Sequence, residues 1–171
     1  MDQHENGRPD PSPDAPEVRA IAAYLRWISE GVTREQTKAW RGWGIPKEAL
    51  IEISKLDPNR GRVLYEAKCK VCHGRSGQGL RIGDLKPGPL WGPRSWNDGA
   101  GAARTYTLAG YLRHAMPYTD PGSLTDEEAQ QIAAFLTSQP RPEFPAKHMD
   151  FLAEPLPPDA VYYRAVRPPL R

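Results

Sequence analysis

Cys69-Lys70-Val71-Cys72-His73 is the stretch on which the reading of this chain turns. A Cys-x-x-Cys-His run is the pattern of covalent c-type haem attachment. The spacing has a mechanical reason. One helical turn sets both thiols under the same porphyrin edge, where each can form a thioether with a vinyl group. His73, next along, then directs its imidazole at the iron as proximal ligand. The run uses both cysteines of the chain. Two other chemistries use paired cysteines. A zinc site takes four ligands, commonly two Cys pairs or a Cys pair with a His pair, and no second pair follows here. A thioredoxin-like redox pair expects a βαβ setting, and no strand-rich run precedes the motif. The cofactor expected is one haem c, bound through Cys69 and Cys72.

The chain has 171 residues, room for one domain with appendages, and a net charge of +2. That charge argues against nucleic acid or an anionic membrane as partner. The 19 prolines and 15 glycines cluster, marking long irregular loops and tails. No apolar run reaches the length of a transmembrane segment. The start, Met1 to Pro16, is polar and proline-rich and lacks the basic-then-apolar pattern of an export signal. Haem joined to a Cys-x-x-Cys-His run implies export, so the periplasm is the expected location. The expectation is then that the true start lies upstream, or that the chain is trimmed or travels another way.

Along the chain, residues 1–15 read as a disordered lead with Pro9, Pro11 and Pro13. Residues 16–56 read as a helix and a connector. The helix, about Pro16 to Glu30, carries Val18, Ile21, Ala22, Leu25 and Ile28 at helical spacing, and Gly31 stops it. The connector holds Trp40, Gly42, Trp43, Gly44 and Pro46. Residues 57–140 read as the haem domain. Asp57 caps a helix with Pro58 at its first position, and Val63, Leu64 and Ala67 are expected inside. A long loop runs from Gly74 to Gly101. Helices follow at about Tyr106 to Ala115 and Asp126 to Gln139, the latter with a Thr125–Glu128 capping box and a stripe of Ala129, Ile132, Ala133 and Leu136. Residues 141–171 form a proline-rich tail. The fold class is all-α, helices around one haem. A domain this small has a marginal side-chain core, so the haem supplies apolar mass and the apo-chain is expected to fold poorly.

Ile21-Ala22-Ala23-Tyr24-Leu25 echoes Ile132-Ala133-Ala134-Phe135-Leu136, and Glu17 matches Glu128 at the same offset. The plain explanation is that alanine-rich helices look alike. The other is that the first helix closes an earlier haem domain whose motif lies upstream of Met1.

The sixth iron ligand must come from downstream, and Met116 is the candidate. It ends a predicted helix and precedes Pro117, which forces it onto extended backbone. A gap-filling core methionine is the plain alternative. His114 sits about 200° away around a helix, so it cannot share the iron with Met116. His148, Met149 and Lys86 are weaker alternatives. A His/Met iron is six-coordinate, with no open position for a substrate, and so carries electrons only. Arg104, Arg81 and Lys68 are candidates to pair with haem carboxylates or attract a partner.

Residues from Asp57 to Pro142 resemble the cytochrome c superfamily, and within it the second haem domain of di-haem thiosulfate dehydrogenases. The likeness rests on the run Pro89-Leu90-Trp91-Gly92-Pro93-Arg94-Ser95-Trp96-Asn97-Asp98-Gly99-Ala100-Gly101, on Met116-Pro117, on Leu124 to Ala129, and on Gln139-Pro140-Arg141-Pro142. The helix at 17–30 looks like the end of that family's first domain. The resemblance implies a Gly-Pro-x-Leu-type loop at Gly88 to Gly92, with the Pro89 carbonyl accepting from His73, and Met116 as distal ligand. It also implies a family that joins two thiosulfates as tetrathionate, or runs the reverse. That reaction belongs to a first haem with a cysteine ligand, and this chain has no first motif and no spare cysteine. The expectation is therefore a mono-haem electron-transfer domain serving a redox partner protein or a preceding haem domain, and not itself an enzyme. The alternative is the electron-transfer half of a thiosulfate dehydrogenase, inactive alone. Exposed Leu25, Trp27 and Ile28 would favour it. A haem-based sensor with a displaceable Met116 is a third class.

Overall fold

A computed structural model describes residues 12–33, 44–151 and 155–163. Most of the expected lead, together with Trp40, Gly42 and Trp43 of the connector, lies outside them. The chain divides into two compact units, residues 1–42 and 43–171.

In the first unit, α1 spans Pro16–Ile28. Proline sits at its first position, where the missing N–H costs nothing. It ends two residues before the expected Glu30, because Ser29 turns back and its hydroxyl donates to the Arg26 carbonyl at 3.0 Å. Gly31 takes φ +76°, which closes the turn. Ile21, Tyr24, Leu25, Trp27 and Ile28 are all more than half exposed.

In the second unit, α2 (Pro58–Lys68) leads into the single turn α3 (Lys70–His73), and α4 (Thr105–Ala115) and α5 (Asp126–Thr137) complete the frame. Asp57 caps α2 by accepting from the Asn59 amide at 2.8 Å. Thr125 and Glu128 make the reciprocal capping box of α5, at 3.1 and 3.0 Å. Among the described residues there is no strand, only an Ile82–Leu85 bridge inside the loop.

The centre of the unit is α5, packed against α2 and α4. Ala129, Ile132, Ala133 and Leu136 are buried, and so are Gln130, Gln131 and Thr137 on the other sides. These polar groups are satisfied rather than exposed. Gln130 accepts from the Ile51 amide (2.8 Å) and donates to the Ala49 carbonyl (3.0 Å). Gln131 accepts from the Asp57 amide (2.8 Å), and Thr137 pairs with Thr105 (3.0 Å). Through these bonds and the buried Ile45, residues 44–56 pack with α5 as part of the second unit. On the other side, Lys147 meets Asp98 at 2.6 Å and draws the tail onto the loop.

The inner face of α2 differs from the expectation. Val63 is 60 % exposed and Ala67 is exposed, while Gly61 and Tyr65 are buried. The cause is the closeness of the crossing. A Cβ at Gly61 would lie 1.9 Å from the Gln131 carbonyl oxygen, so only glycine fits there. Tyr65, one turn on, fills the space beyond, edge to Trp91 (5.3 Å) and near Phe135 (5.4 Å). Its hydroxyl donates to the Gly74 carbonyl at 2.6 Å.

Candidate haem site

Cys69 breaks the helix between α2 and α3 with φ −117° and ψ −33°. The amides of Cys72 and His73 both return to its carbonyl, at 3.1 and 3.0 Å. One tight turn thus carries both thiols and the imidazole. Gly74 ends it with φ +73°, and the loop doubles back: the Gly79 amide donates to the His73 carbonyl (2.9 Å) and Leu80 to Cys72 (2.8 Å). The Leu90 amide donates to Gly77 (2.7 Å). These bonds lay the segment around Gly88 beside His73.

Both cysteines are free and half-buried. Burial, with the neighbouring Cys72, pushes the Cys69 thiol up to about 11, so it is held as a neutral thiol facing apolar surroundings. Burial lowers the His73 pKa, with the Gly88 backbone opposing, so the imidazole is held neutral, the form that ligates a metal. Its Nδ1 is buried without a hydrogen-bond partner. The backbone group that acts on the imidazole is that of Gly88, the neighbour of Pro89.

Met116 follows the last residue of α4 on extended backbone, φ −126° and ψ 151°, as Pro117 requires. It is half-buried and packs on the same core cluster as Cys69, Leu64, Leu90 and Trp91. His114, Lys86 and His148 are exposed, and Met149 is 46 % exposed. The basic candidates have partners within the protein: Lys68 pairs with Glu128 (2.9 Å) and Arg104 with the buried Asp159 (2.7 Å), while Arg81 turns to the Gly83 carbonyl (3.2 Å).

The donor set fits a c-type haem. Two free thiols and a neutral, orphaned imidazole share one turn, and a thioether sits on the same apolar cluster as Cys69. Leu80, Ile82 and Leu85 in the following loop are all at least 40 % exposed, apolar surface of the kind a porphyrin covers. Zinc fits poorly: among the described residues no three His, Cys, Asp or Glu side chains gather where a metal ion could sit. Two further buried nitrogens lack partners, Trp96 Nε1 and Arg141 Nη1. The sequence reading assigned them no role. Their signal was an arginine fixed between Pro140 and Pro142.

An all-α frame closing on Cys69, Cys72 and His73 defines the class, a c-type cytochrome domain. Residues 56–136 match the family described as cytochrome C oxidase, cbb3-type, subunit III. This chain carries a cytochrome c-type domain homologous to the thiosulfate dehydrogenases. The thiosulfate dehydrogenase of Allochromatium vinosum is 43 % identical over 134 residues, 77 % of this chain and 48 % of that protein. That of Stutzerimonas stutzeri is 37 % identical over 146 residues, 82 % of this chain and 45 % of that protein. The solved thiosulfate dehydrogenase TsdBA of Marichromatium purpuratum superposes with a TM-score of 0.61 at 34 % identity, over 85 % of this chain and 32 % of that one. The chain spans about half the length of these first two relatives. No helix among the described residues is long and apolar enough to cross a membrane.

Proposed function

We propose that this chain is a single-electron carrier, with one haem bonded through Cys69 and Cys72 and ligated by His73 and Met116. When bound, the haem iron supplies a one-electron couple. The protein's part is to fix and shield it. The α3 turn presents both thiols and the proximal imidazole together. Burial favours the neutral imidazole, and the Gly88 backbone beside the ring supports its role in fixing the tautomer. Met116 closes the distal side, leaving no position for a substrate. Thioether ligation favours reduced iron and raises the potential. The observation that carries the reading is Met116, held extended at the end of α4 on the core shared with Cys69. Haem attachment of this kind supports a periplasmic location, and the partner we infer is a redox protein or an adjoining haem domain.

The test is expression through an exporting haem-maturation system. The expected product has one covalent haem and a low-spin His/Met spectrum, and Met116→Ala becomes high-spin or ligand-binding. An unchanged spectrum in that variant would refute Met116. No thiosulfate turnover is expected from the chain alone.

A second reading is supported by α1. Leu25 (54 %), Trp27 (69 %) and Ile28 (52 %) are exposed together. Such a face, in a chain half the length of its relatives, fits the electron-transfer half of a two-haem thiosulfate dehydrogenase. Co-expression with a first haem domain from such an enzyme tests it: turnover of thiosulfate supports it, and failure to associate refutes it.

A further inference from the structure

We propose that Trp96 and Arg141 together bind one carboxylate, and that this carboxylate is a haem propionate; the assignment rests on the haem reading above. Arg141 is held on two sides. Its Nε donates to the Tyr162 hydroxyl at 2.8 Å and its Nη2 to the Leu136 carbonyl at 2.8 Å. Tyr162 is fixed in turn by donating to the Gln139 carbonyl at 2.7 Å. The guanidinium therefore cannot swing, and its remaining nitrogen, Nη1, is buried with no partner. The carbon of that guanidinium lies 4.9 Å from the Trp96 ring centre, and Trp96 Nε1 is also buried with no partner. Two orphaned donors from different segments thus occupy one small region.

The ligand class follows from the donors. An indole N–H and a guanidinium N–H offer hydrogen only, one of them charged, and a carboxylate has an oxygen for each. No protein carboxylate serves. Among the described residues Arg141 has no ion pair, Asp98 is committed to Lys147 (2.6 Å) and the Phe144 amide (2.7 Å), and Asp159 to Arg104. The region is tied to the haem motif by main chain. Gly92 and Asp98 amides donate to Pro140 (2.7 Å) and Pro142 (2.9 Å) on either side of Arg141. Gln78, five residues past His73, donates to the Trp91 carbonyl at 2.8 Å. Tyr162 makes the tail a working part of the site, because it aims Arg141.

The experiment uses haem-loaded protein and the variants Arg141→Gln, Arg141→Lys, Trp96→Phe and Tyr162→Phe. Midpoint potential and the Trp96 indole N–H resonance of ¹⁵N-labelled ferrous protein are measured. Removing a cation or donor from the propionate stabilises ferric iron, so the potential should fall most in Arg141→Gln and less in Trp96→Phe, Arg141→Lys and Tyr162→Phe. The Trp96 N–H should exchange slowly and shift in Arg141→Gln. Free acetate or chloride should move neither readout. Potentials equal to the parent's in all variants overturn the proposal, and so does dependence on added acetate or chloride, which would mean a diffusible anion. If Arg141→Gln fails to retain haem, Trp96→Phe and Arg141→Lys decide. The pyridine haemochrome assay separates the readings. A haem-free parent overturns both, and a haem-loaded series with unmoved potentials overturns only the propionate assignment.

Discussion

Gly61→Ala tests the α2–α5 crossing. In an exposed helix this change is favourable by about 1 kcal/mol, since alanine loses less backbone freedom on folding. Here the new methyl would lie 1.9 Å from the Gln131 carbonyl oxygen, 2.7 Å from its carbon and 2.8 Å from Phe135 Cβ. Ordinary contact begins near 3.4 Å, so the helices must part by about 1.5 Å. The obstacle is main chain and cannot rotate aside. Parting loosens Tyr65, Ile132 and Leu136, each no more than 2 % exposed. A gap of 0.5–1 Å already forfeits roughly a quarter to a half of each dispersion well. Overpacking costs about 1–3 kcal/mol and more against a rigid partner. Taking the upper end and subtracting the propensity gain leaves about 2 kcal/mol of destabilisation. For a chain of this size that is a fall of about 4–8 °C in Tm. The assay is thermal and guanidinium unfolding of haem-loaded protein, followed by far-ultraviolet circular dichroism and the Soret band. Gly101→Ala is the control, because nothing lies within 4 Å of a Cβ there and φ is ordinary. A Gly61→Ala protein as stable as the parent, or more so, would show that the helices do not cross this closely.

Four further outcomes follow from the same contacts. Thr125→Ala removes the α5 cap and should cost about 1 kcal/mol in the same unfolding assay. Glu128 has its pKa lowered below 4.5 by the Thr125 amide and by Lys68. Its stabilisation is therefore complete above that value and lost as pH falls through the lower folded pKa, and Glu128→Gln should flatten the acid limb of stability against pH. Lys147→Met strands the buried Asp98 carboxylate and should cost about 3–5 kcal/mol, with part recovered when Asp98→Asn is added. Leu25→Gln, on an exposed side chain, should change the stability of this chain by less than about 0.5 kcal/mol; a larger loss would show that the α1 face is already covered.

The haem helices were legible because their signals are local. Asp57 with Pro58, the Thr125–Glu128 box and the Met116-Pro117 step each act through neighbouring main chain, and each is where the sequence placed it. The inner face of α2 was not legible. Its contact residues, Gly61 and Tyr65, do not look apolar, and only the position of α5 makes a missing side chain an advantage. The all-round burial of α5 was hidden for a related reason. Gln130 and Gln131 are polar residues whose burial depends on Ile51 and Asp57, more than seventy residues away in sequence, supplying their partners. The ion pairs of Lys68 with Glu128 and Arg104 with Asp159 were hidden for the same reason, since the partners lie more than fifty residues apart in the chain. In the site, Cys69, Cys72 and His73 come together because one turn joins them, whereas Trp96 and Arg141 meet only through the packing of loop on tail.

The echo between α1 and α5 gains weight from burial. Ile132, Phe135 and Leu136 are 0, 9 and 2 % exposed, while their counterparts Ile21, Tyr24 and Leu25 are 61, 58 and 54 % exposed. Fully burying such a side chain is favourable by about 1.5–3 kcal/mol, so the same pattern stabilises one helix in place and leaves the other without that return. Tyr24 and Trp27 touch at 6.0 Å on α1 and both stay more than half exposed, whereas Tyr65 is buried against Trp91 and Phe135. Likeness among alanine-rich helices accounts for the letters alone. It does not account for large apolar residues kept at core-like positions on a helix where, among the described residues, they stay exposed. A terminal cytochrome helix would account for both, and this is the support behind the two-haem reading proposed beside the solitary carrier.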